Sequence, residues 1–299
     1  WDLSLESVSL VRNLIAKHDL DCGWSDGIIE ADHRAKNVPH SHEYADKLRN
    51  EYDYDMIRPV GRDEMCSLVG SSAYYGGTLD MGSGHIHPLR FALGLACAAH
   101  DAGVRIHERS KVTSVTPDGK VSTDQAQITA KHVILGCNGY LGALNGHVAQ
   151  RVMPINNFIA ATEPLSDAKA RNLIRDNHAV ADSKFVINYF RLSEDNRMLF
   201  GGGESYGYKF PKDIAKTVRK PMLQIFPQLK DTKIDYAWGG TLGITMNRMP
   251  HFARVSDRVL SISGYSGHGV ALATLAGKLA AQAVAGQAEK FDIFSTVPT

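Results

Sequence analysis

One segment constrains the fold more than any other, because an apolar strand, a glycine-rich turn and an Ala/Leu-rich helix follow one another directly. Val259–Ser263 predicts a strand, Gly264-Tyr265-Ser266-Gly267-His268-Gly269 a tight turn, and Val270–Ala285 a helix that ends at Gly286. The unpaired N–H groups and the dipole at the start of such a helix favour an anion, and glycine lets a ligand approach the backbone. A phosphate site and a packing turn both fit these residues.

The glycines of this turn follow the order G-x-x-G-x-G, which differs from the dinucleotide-binding fingerprint G-x-G-x-x-G. No copy of that fingerprint occurs in the 299 residues. The sequence also begins Trp1-Asp2-Leu3, without an initiator methionine, and enters an amphipathic helix at once. We therefore expect the chain to be a fragment of a longer protein.

Other segments have well-marked ends. The predicted helix Leu89–Ala102 has Pro88 in its first turn and Gly103 after its end. His132–Gly136 is short and almost entirely apolar, which predicts a buried parallel strand. Further β-like segments include Val104–His107 and Phe185–Leu192.

Composition and charge exclude several classes of protein. Hydrophobic residues make up 43% of the chain and charged residues 22%, which is too apolar for a disordered chain. Lys+Arg minus Asp+Glu is 33 − 32 = +1, so neither nucleic acid nor an anionic membrane is expected as a partner. No apolar stretch approaches the roughly 20 residues of a membrane span. Four scattered cysteines without C-x-x-C spacing argue against a disulfide scaffold and favour the reducing cytoplasm.

A series of short motifs runs along the whole chain in a fixed order. They are Gly84-His85-Ile86-His87-Pro88, Lys111-Val112-Thr113-Ser114-Val115, Val133–Gly142, Tyr189–Leu192, Gly201-Gly202-Gly203, Phe226–Lys230, Arg248-Met249-Pro250 and, most specific, Gly264–Val270. Together these segments resemble the flavin-dependent D-amino-acid oxidase/glycine oxidase superfamily.

The resemblance implies a fold of two parts. An α/β FAD-binding domain of the glutathione-reductase-like, DAO type is assembled from discontinuous segments, and an α+β domain with an antiparallel sheet holds the substrate. By the resemblance, the family's N-terminal βαβ unit, which contains G-x-G-x-x-G, is expected to be absent from this chain. The expected regions are residues 1–87, a mixed segment that contributes to the substrate domain; 88–148, part of the FAD-binding domain; 149–249, the antiparallel substrate domain; and 250–299, the C-terminal part of the FAD-binding domain.

The same resemblance implies FAD as the cofactor, bound without a covalent link because no cysteine lies near the glycine turn. Val112 is expected to meet the adenine through its backbone, and Asn138 and Gly139 to lie beside the dinucleotide. The catalytic candidate is His268, which would hydrogen-bond flavin or substrate; a loop histidine already satisfied by its neighbours is the alternative. The residues expected to wrap the flavin and pyrophosphate are Gly264, Tyr265, Ser266, Gly267, His268, Gly269 and Val270.

Two further expectations concern metals and aromatic residues. His85 and His87 have no third ligand nearby, so no metal site is expected. Aromatic residues in strands belong to the core more often than to a pocket wall, and both roles are open for four of them. These are Tyr189, Phe190, Tyr206 and Trp238.

The expected substrate follows from a missing residue type. Amino-acid oxidases of this family hold the substrate carboxylate with an arginine on the strand before the glycine turn. Trp238–Thr245 contains no arginine, and Arg248, just before Met249-Pro250, favours a structural role. The resemblance therefore implies a small-molecule amine whose reacting carbon bears no carboxylate, such as the putrescine end of γ-glutamylputrescine.

Oxidation of the CH–NH2 group of such an amine by FAD and molecular oxygen would give an aldehyde, ammonia and H2O2. Two alternatives remain at this point. One is an amino-acid or N-methyl-amine oxidase or dehydrogenase of the glycine or sarcosine type. The other is an inactive truncated fragment that acts as a binding module.

Overall fold

The computed structural model describes residues 1–206 and 209–299. Within these ranges the helices are α1 (Asp2–His18), α2 (Val38–Tyr52), α3 (Arg62–Leu68), α4 (Pro88–Asp101), α5 (Gly146–Ala149), α6 (Asp167–Leu173), α7 (Ile214–Ile225), α8 (Gly269–Val284) and α9 (Glu289–Ser295). The strands are β1 (Ser25–Ala31), β2 (Ile57–Val60), β3 (Gly77–His85), β4 (Val112–Val115), β5 (Lys120–Thr123), β6 (Gln127–Thr129), β7 (Val133–Leu135), β8 (Met153–Thr162), β9 (Ala179–Asp182), β10 (Tyr189–Leu192), β11 (Met198–Tyr206), β12 (Ile234–Ile244), β13 (His251–Arg254) and β14 (Val259–Ser263).

The largest sheet among the described residues has eight strands in the order β12-β8-β11-β10-β9-β1-β3-β2. Neighbouring strands are antiparallel except β1 and β9, where Ile28–Ala31 runs parallel to Ala179–Asp182. The sequence predicted an antiparallel sheet within residues 149–249. The structure extends that sheet with three strands from the first 85 residues.

One face of this sheet is covered by helices α3, α6 and α7. Because side chains alternate along a strand, Ile29 and Ala31 of β1 point into this core and are almost fully buried. Phe190 and Phe200 stack at 5.4 Å between ring centroids in the same layer. The helices add Met65, Leu68, Leu173, Val218 and Met222 to the same cluster. The opposite face of the sheet stays open and forms the site described below.

A second, smaller sheet with its own helices lies next to the glycine turn. Strands β13, β14 and β7 form a three-stranded sheet in which β7 runs parallel to β14, which confirms the predicted parallel strand. Helix α8 packs on this sheet through Leu275 and Leu279. Helix α1 packs against α8, and Glu6 accepts hydrogen bonds from Lys278 at 2.5 Å and Lys290 at 2.6 Å.

Three local predictions were wrong. Val104–His107 forms no strand, because it has no ladder partner within residues 1–206 and 209–299, and Ile106 is 52% exposed. β10 begins only at Tyr189, since Phe185, four residues earlier, is 81% exposed in a loop. The apolar strand β7 is not buried throughout: it lies at the edge of its sheet and leaves Ile134 42% exposed.

The helix predictions agree with the structure to within a few residues at each end. None of the helices in the described part of the chain is long and apolar enough to cross a lipid bilayer.

Candidate functional site

The open face of the eight-stranded sheet forms the floor of a cavity of about 950 Å³. Helices α1 and α2 and the turn before α8 form its sides. Among the side chains that the sheet contributes are Ile28, Glu30, Thr78, Asp80, Ile155, Asn157, Tyr189, Glu204, Leu242 and Ile244.

The register of the strands places the acidic residues of this floor. Ile28 pairs with Asp80, and Glu30 pairs with Thr78 on β3 and with Ala181 on β9. Directly opposed residues in a sheet share a face, so these five side chains line one surface of the cavity.

Glu30 projects into the cavity without a partner. Its carboxylate makes no hydrogen bond or ion pair with any residue that the structure describes, and the residue is exposed on the cavity lining. The surrounding protein removes part of its hydration, which raises the pKa of Glu30 above its ordinary value. The negative charges of Asp80 and Asp32 act in the same direction, whereas His268 opposes them.

Asp80 differs from Glu30 because donors surround it. Its Oδ1 accepts hydrogen bonds from the Tyr54 hydroxyl at 2.6 Å and from the Gly82 N–H at 2.9 Å. Its Oδ2 accepts a third from the Ser83 hydroxyl at 2.7 Å. Burial, followed by this bond to Asp80, raises the pKa of Tyr54 well above its ordinary value. A third cavity carboxylate, Glu204, makes no side-chain hydrogen bond with the described residues.

Two arginines also line the cavity. Arg12 is paired with Asp26 at 2.7 Å and lies over the ring of Trp24. Arg248 makes no side-chain hydrogen bond or ion pair within the described ranges, and its backbone has a left-handed φ of 63°. The sequence favoured a structural role for Arg248, but the structure places its side chain on the cavity wall.

Strand β12 gives the cavity an apolar wall. Leu242 and Ile244 are the side chains that β12 contributes. Tyr189 also lines the cavity, donates a hydrogen bond to Asn157 Oδ1, and has its pKa raised by burial to about 12. The other three aromatic candidates are not in the cavity lining: Phe190 is in the core at 2% exposure, while Tyr206 and Trp238 lie at the surface.

The glycine turn is held by two other segments. Asn138, which follows β7, accepts a hydrogen bond from the Gly264 N–H at 3.0 Å. The Ser266 N–H donates to the Gly243 carbonyl at 3.0 Å. Gly139 packs so closely on β12 that a Cβ there would lie 2.6 Å from the Leu242 carbonyl oxygen. The structure therefore brings Asn138 to the turn and Gly139 to β12, and their expected position beside the dinucleotide stays a prediction.

The residues predicted to bind the cofactor differ in how far they are exposed to solvent. The Tyr265 side chain is buried in the apolar cluster under α8, and Ser266 is 4% exposed. Gly267, His268 and Val270 lie at the surface. Val112 begins β4 in the separate β4-β5-β6 sheet, and no hydrogen bond joins it to the turn in the part of the chain that is described.

The surface at the start of α8 fits an anionic, flat cofactor. The N–H groups of Gly269, Val270 and Ala271 find no acceptor among the described residues, and the dipole of this 16-residue helix adds positive potential there. Gly267 has a φ of 97°, and no atom lies within 4 Å of the place where a Cβ would be. The donors and the open space fit the diphosphate or the ring edge of FAD.

The described residues contain no group of three or more His, Cys, Asp or Glu side chains that could hold a metal ion. His85 Nε2 lies 2.7 Å from the Asn177 carbonyl oxygen, whereas His87 Nδ1 accepts a hydrogen bond from the Arg90 N–H. The two histidines thus have separate structural contacts.

Sequence and structure comparisons agree on the class of protein. The family model described as FAD dependent oxidoreductase (DAO) matches residues 1–283. Gamma-glutamylputrescine oxidoreductase of Escherichia coli is 37% identical over 99% of this chain and 70% of its own length. The probable oxidoreductase OrdL of Haemophilus influenzae is 36% identical over 98% of this chain and 69% of its own length.

Solved structures show the same fold at low sequence identity. Glycine oxidase from Geobacillus kaustophilus superposes with a TM-score of 0.80 at 18% identity, covering 96% of this chain and 79% of that one. L-proline dehydrogenase from P. horikoshii superposes with a TM-score of 0.78 at 17% identity, covering 95% of this chain and 78% of that one.

Fold and site together define an FAD-dependent oxidoreductase with mixed and antiparallel sheets. The chain belongs to the DAO family of these enzymes, and the family predicted from its motifs is confirmed. The roles of the individual site residues and the bounds of the four regions stay predictions.

Sequence reasoning missed the three cavity carboxylates, Glu30, Asp80 and Glu204. For Glu30 a signal existed, because Asp26, Ile28 and Glu30 occupy every second position, and such residues share one face of an extended strand. Nothing local in the sequence indicated that this face would border a cavity.

Proposed function

We propose that this protein is an amine oxidase that oxidises the CH–NH2 group of an amine, with γ-glutamylputrescine as its substrate. One observation carries the proposal: the cavity combines the carboxylates of Glu30 and Glu204, which have no partner among the described residues, with a β12 wall that presents Leu242 and Ile244 but no arginine. The carboxylates attract an ammonium group, and β12 offers the reacting carbon no partner for a carboxylate.

The name of the Escherichia coli relative, at 37% identity, supports the same substrate. The overall reaction converts R–CH2–NH3⁺, O2 and water into R–CHO, NH4⁺ and H2O2. FAD supplies the redox chemistry when bound, because it accepts the hydride that leaves the carbon next to nitrogen. The three free N–H groups at the start of α8 and the open surface at Gly267 would hold it.

The residues of this chain have three tasks in that reaction. The cavity carboxylates attract the ammonium and orient its carbon. The apolar side chains of Leu242 and Ile244 pack on the methylene groups and exclude water. The partly desolvated cavity disfavours the charged form of the amine, which must lose a proton before hydride departs.

Arg248 favours a second candidate. A cavity arginine without a partner among the described residues would suit a substrate with a carboxylate, as in a glycine- or sarcosine-type oxidase or dehydrogenase. As part of the first proposal, we also propose that the protein works in the cytoplasm, the location that its cysteine usage favours.

The test is the visible spectrum of the protein loaded with FAD. Under anaerobic conditions we expect γ-glutamylputrescine, but not glycine or sarcosine, to bleach the flavin, and oxygen to restore it with formation of H2O2. Flavin that is bleached by glycine or sarcosine instead would establish the second candidate. Bound flavin that none of these amines bleaches would contradict both candidate functions.

A pair of variants tests the β12 argument directly. Leu242→Arg places a cation on the cavity wall, and we expect the rate of flavin reduction by γ-glutamylputrescine to fall at least about tenfold because the substrate is cationic. Leu242→Met keeps the volume and the apolar character, so it serves as the matched control. Equal rates in the two variants would argue against ammonium binding at this wall.

A further inference from the structure

Glu30 lies where the sheet and the glycine turn face each other. Its side chain and that of His268 line the same cavity and interact electrostatically. His268 directly precedes the free N–H groups at the start of α8, which are the expected flavin contacts. An amine between the flavin and the sheet floor would therefore meet Glu30.

Two other charged groups of the cavity are less suited to receive a proton. Asp80 already accepts three hydrogen bonds, from Tyr54, Gly82 and Ser83. Arg12 is a cation and is paired with Asp26. Among the described cavity residues, Glu30 combines a free carboxylate with a position beside the glycine turn.

Resting on the proposed function, we propose that Glu30 is the base of the reaction: its carboxylate binds the reacting ammonium group and takes a proton from it. The N–H bond of R–CH2–NH3⁺ breaks and an O–H bond forms on Glu30, so the charge pair becomes R–CH2–NH2 and a neutral carboxylic acid. The nitrogen keeps the electron pair of the broken bond. That pair assists the departure of hydride from the adjacent carbon to the oxidant of the enzyme.

The surroundings of Glu30 bring the proton affinities of its carboxylate and of the substrate amine closer together. In water an alkyl ammonium has a pKa of about 10.4 and a glutamic acid about 4.3, so transfer is unfavourable by roughly a millionfold. Partial desolvation raises the pKa of Glu30 and disfavours the charged amine, and both changes favour transfer. The titratable and charged groups around Glu30 come from several elements. They are Asp32 just after β1, Asp80 on β3, Tyr44 on α2, Tyr189 on β10, His268 before α8 and, as further cavity residues, Tyr54, Glu204, Arg12 and Arg248.

The first test measures binding and needs no turnover. The probe is tert-butylamine, which has no hydrogen on the carbon next to nitrogen, and tert-butanol is its neutral counterpart. By calorimetry on the flavin-loaded protein, we expect Glu30→Gln to weaken binding of the amine at least about tenfold and to leave the alcohol unchanged. Glu43→Gln removes a charge from an exposed position of α2 outside the cavity and should bind the amine within about twofold of wild type.

Amine binding that is equal in wild type and Glu30→Gln, or absent from wild type, would overturn the proposal. If Glu30→Gln does not fold, judged by circular dichroism, Glu30→Asp replaces it. That variant keeps the carboxylate and shortens its reach, so it should still bind the amine more tightly than the alcohol.

The second test is the pH profile of flavin reduction by γ-glutamylputrescine. We expect Glu30→Gln to react about 10²- to 10⁴-fold more slowly than wild type at pH 7, the usual range for loss of a general base. Its rate should then rise about tenfold per pH unit toward pH 10, as solution supplies the neutral amine. A uniform loss at every pH would assign Glu30 a structural role only.

The two tests separate the proposals. If γ-glutamylputrescine does not reduce the flavin of the wild-type protein, the proposed function fails, while tert-butylamine binding still decides whether Glu30 binds an ammonium group.

Discussion

The side-chain oxygen Oδ1 of Asn138 accepts a hydrogen bond from the backbone N–H of Gly264 at 3.0 Å. The bond joins the end of β7 to the glycine turn, although the two residues are 126 positions apart. Asn138 has a left-handed φ of 46°, a conformation that asparagine tolerates better than most residues. The position of the turn thus depends on a side chain from another segment.

Replacement of Asn138 should therefore loosen the turn. Asn138→Ala removes the acceptor, which costs about 0.5–1.5 kcal/mol, and places alanine in a left-handed conformation, which costs about 1–2 kcal/mol more. We expect a loss of about 2–3 kcal/mol in urea unfolding and weaker FAD binding in a fluorescence titration. Asn138→Asp keeps an acceptor and tolerates this conformation, so its unfolding should change by less than about 1 kcal/mol. Equal losses in both variants would exclude the hydrogen bond as the cause.

Two glycines at opposite ends of α8 separate backbone strain from cofactor binding. Gly267 and Gly286 both have positive φ, 97° and 88°, and both leave open space where a Cβ would lie. Alanine at either position should cost about 1–2 kcal/mol in unfolding because of the backbone conformation. Only Gly267→Ala should weaken FAD binding, by about tenfold or more in a titration. Unchanged FAD affinity in Gly267→Ala would argue against contact of the turn with the cofactor.

Gly139 tests whether the motif after β7 serves packing. Its Cβ would lie 2.6 Å from the Leu242 carbonyl oxygen and 2.7 Å from that of Thr241. Backbone atoms cannot move aside cheaply, so Gly139→Ala should destabilise the fold by about 1–3 kcal/mol in denaturant unfolding. At Gly136 no atom lies within 4 Å of the position that a Cβ would take. The free energy of unfolding of Gly136→Ala should therefore stay within about 0.5 kcal/mol of wild type. A neutral Gly139→Ala would contradict the close packing.

Glu30 should make stability depend on pH. Burial raises its pKa in the folded state, so the folded protein prefers the protonated acid. Its contribution is fully present below the unfolded-state pKa near 4.5 and is lost as pH rises through the folded-state pKa. Glu30→Gln removes this loss. Between pH 4 and pH 7, the melting temperature of the variant should therefore fall by less than that of the wild-type protein. Thermal melts across pH 4–8 measure this, and parallel curves would contradict the raised pKa.

Local signals predicted the elements well where each is decided by its own residues. The helices beginning at Pro88 and in the glycine turn were predicted because proline, glycine and apolar periodicity act within a few residues. Val104–His107 has the composition of a strand but forms none, since a strand requires a partner that its own sequence does not specify. The open N–H groups at the start of α8 follow from the same local rules, whereas the hydrogen bond between Asn138 and the turn joins segments that no local rule brings together.

The cavity was beyond the reach of sequence periodicity. Alternation along β1 showed that Glu30 and Ile29 face opposite sides, but not which side is core. That choice is made by helices α3, α6 and α7, which cover one face of the sheet and leave the other open.

The sequence by itself determined the family, the flavin chemistry and the strand–turn–helix segment, because these depend on motifs whose residues are neighbours in the chain. Only the tertiary structure decided that Glu30, Asp80, Glu204 and Arg248 line one cavity. It also decided that Asp80 accepts three hydrogen bonds while Glu30 accepts none from the described residues. Hydration, pairing and charge interaction depend on which surfaces meet in space, and segments far apart in sequence supply those surfaces.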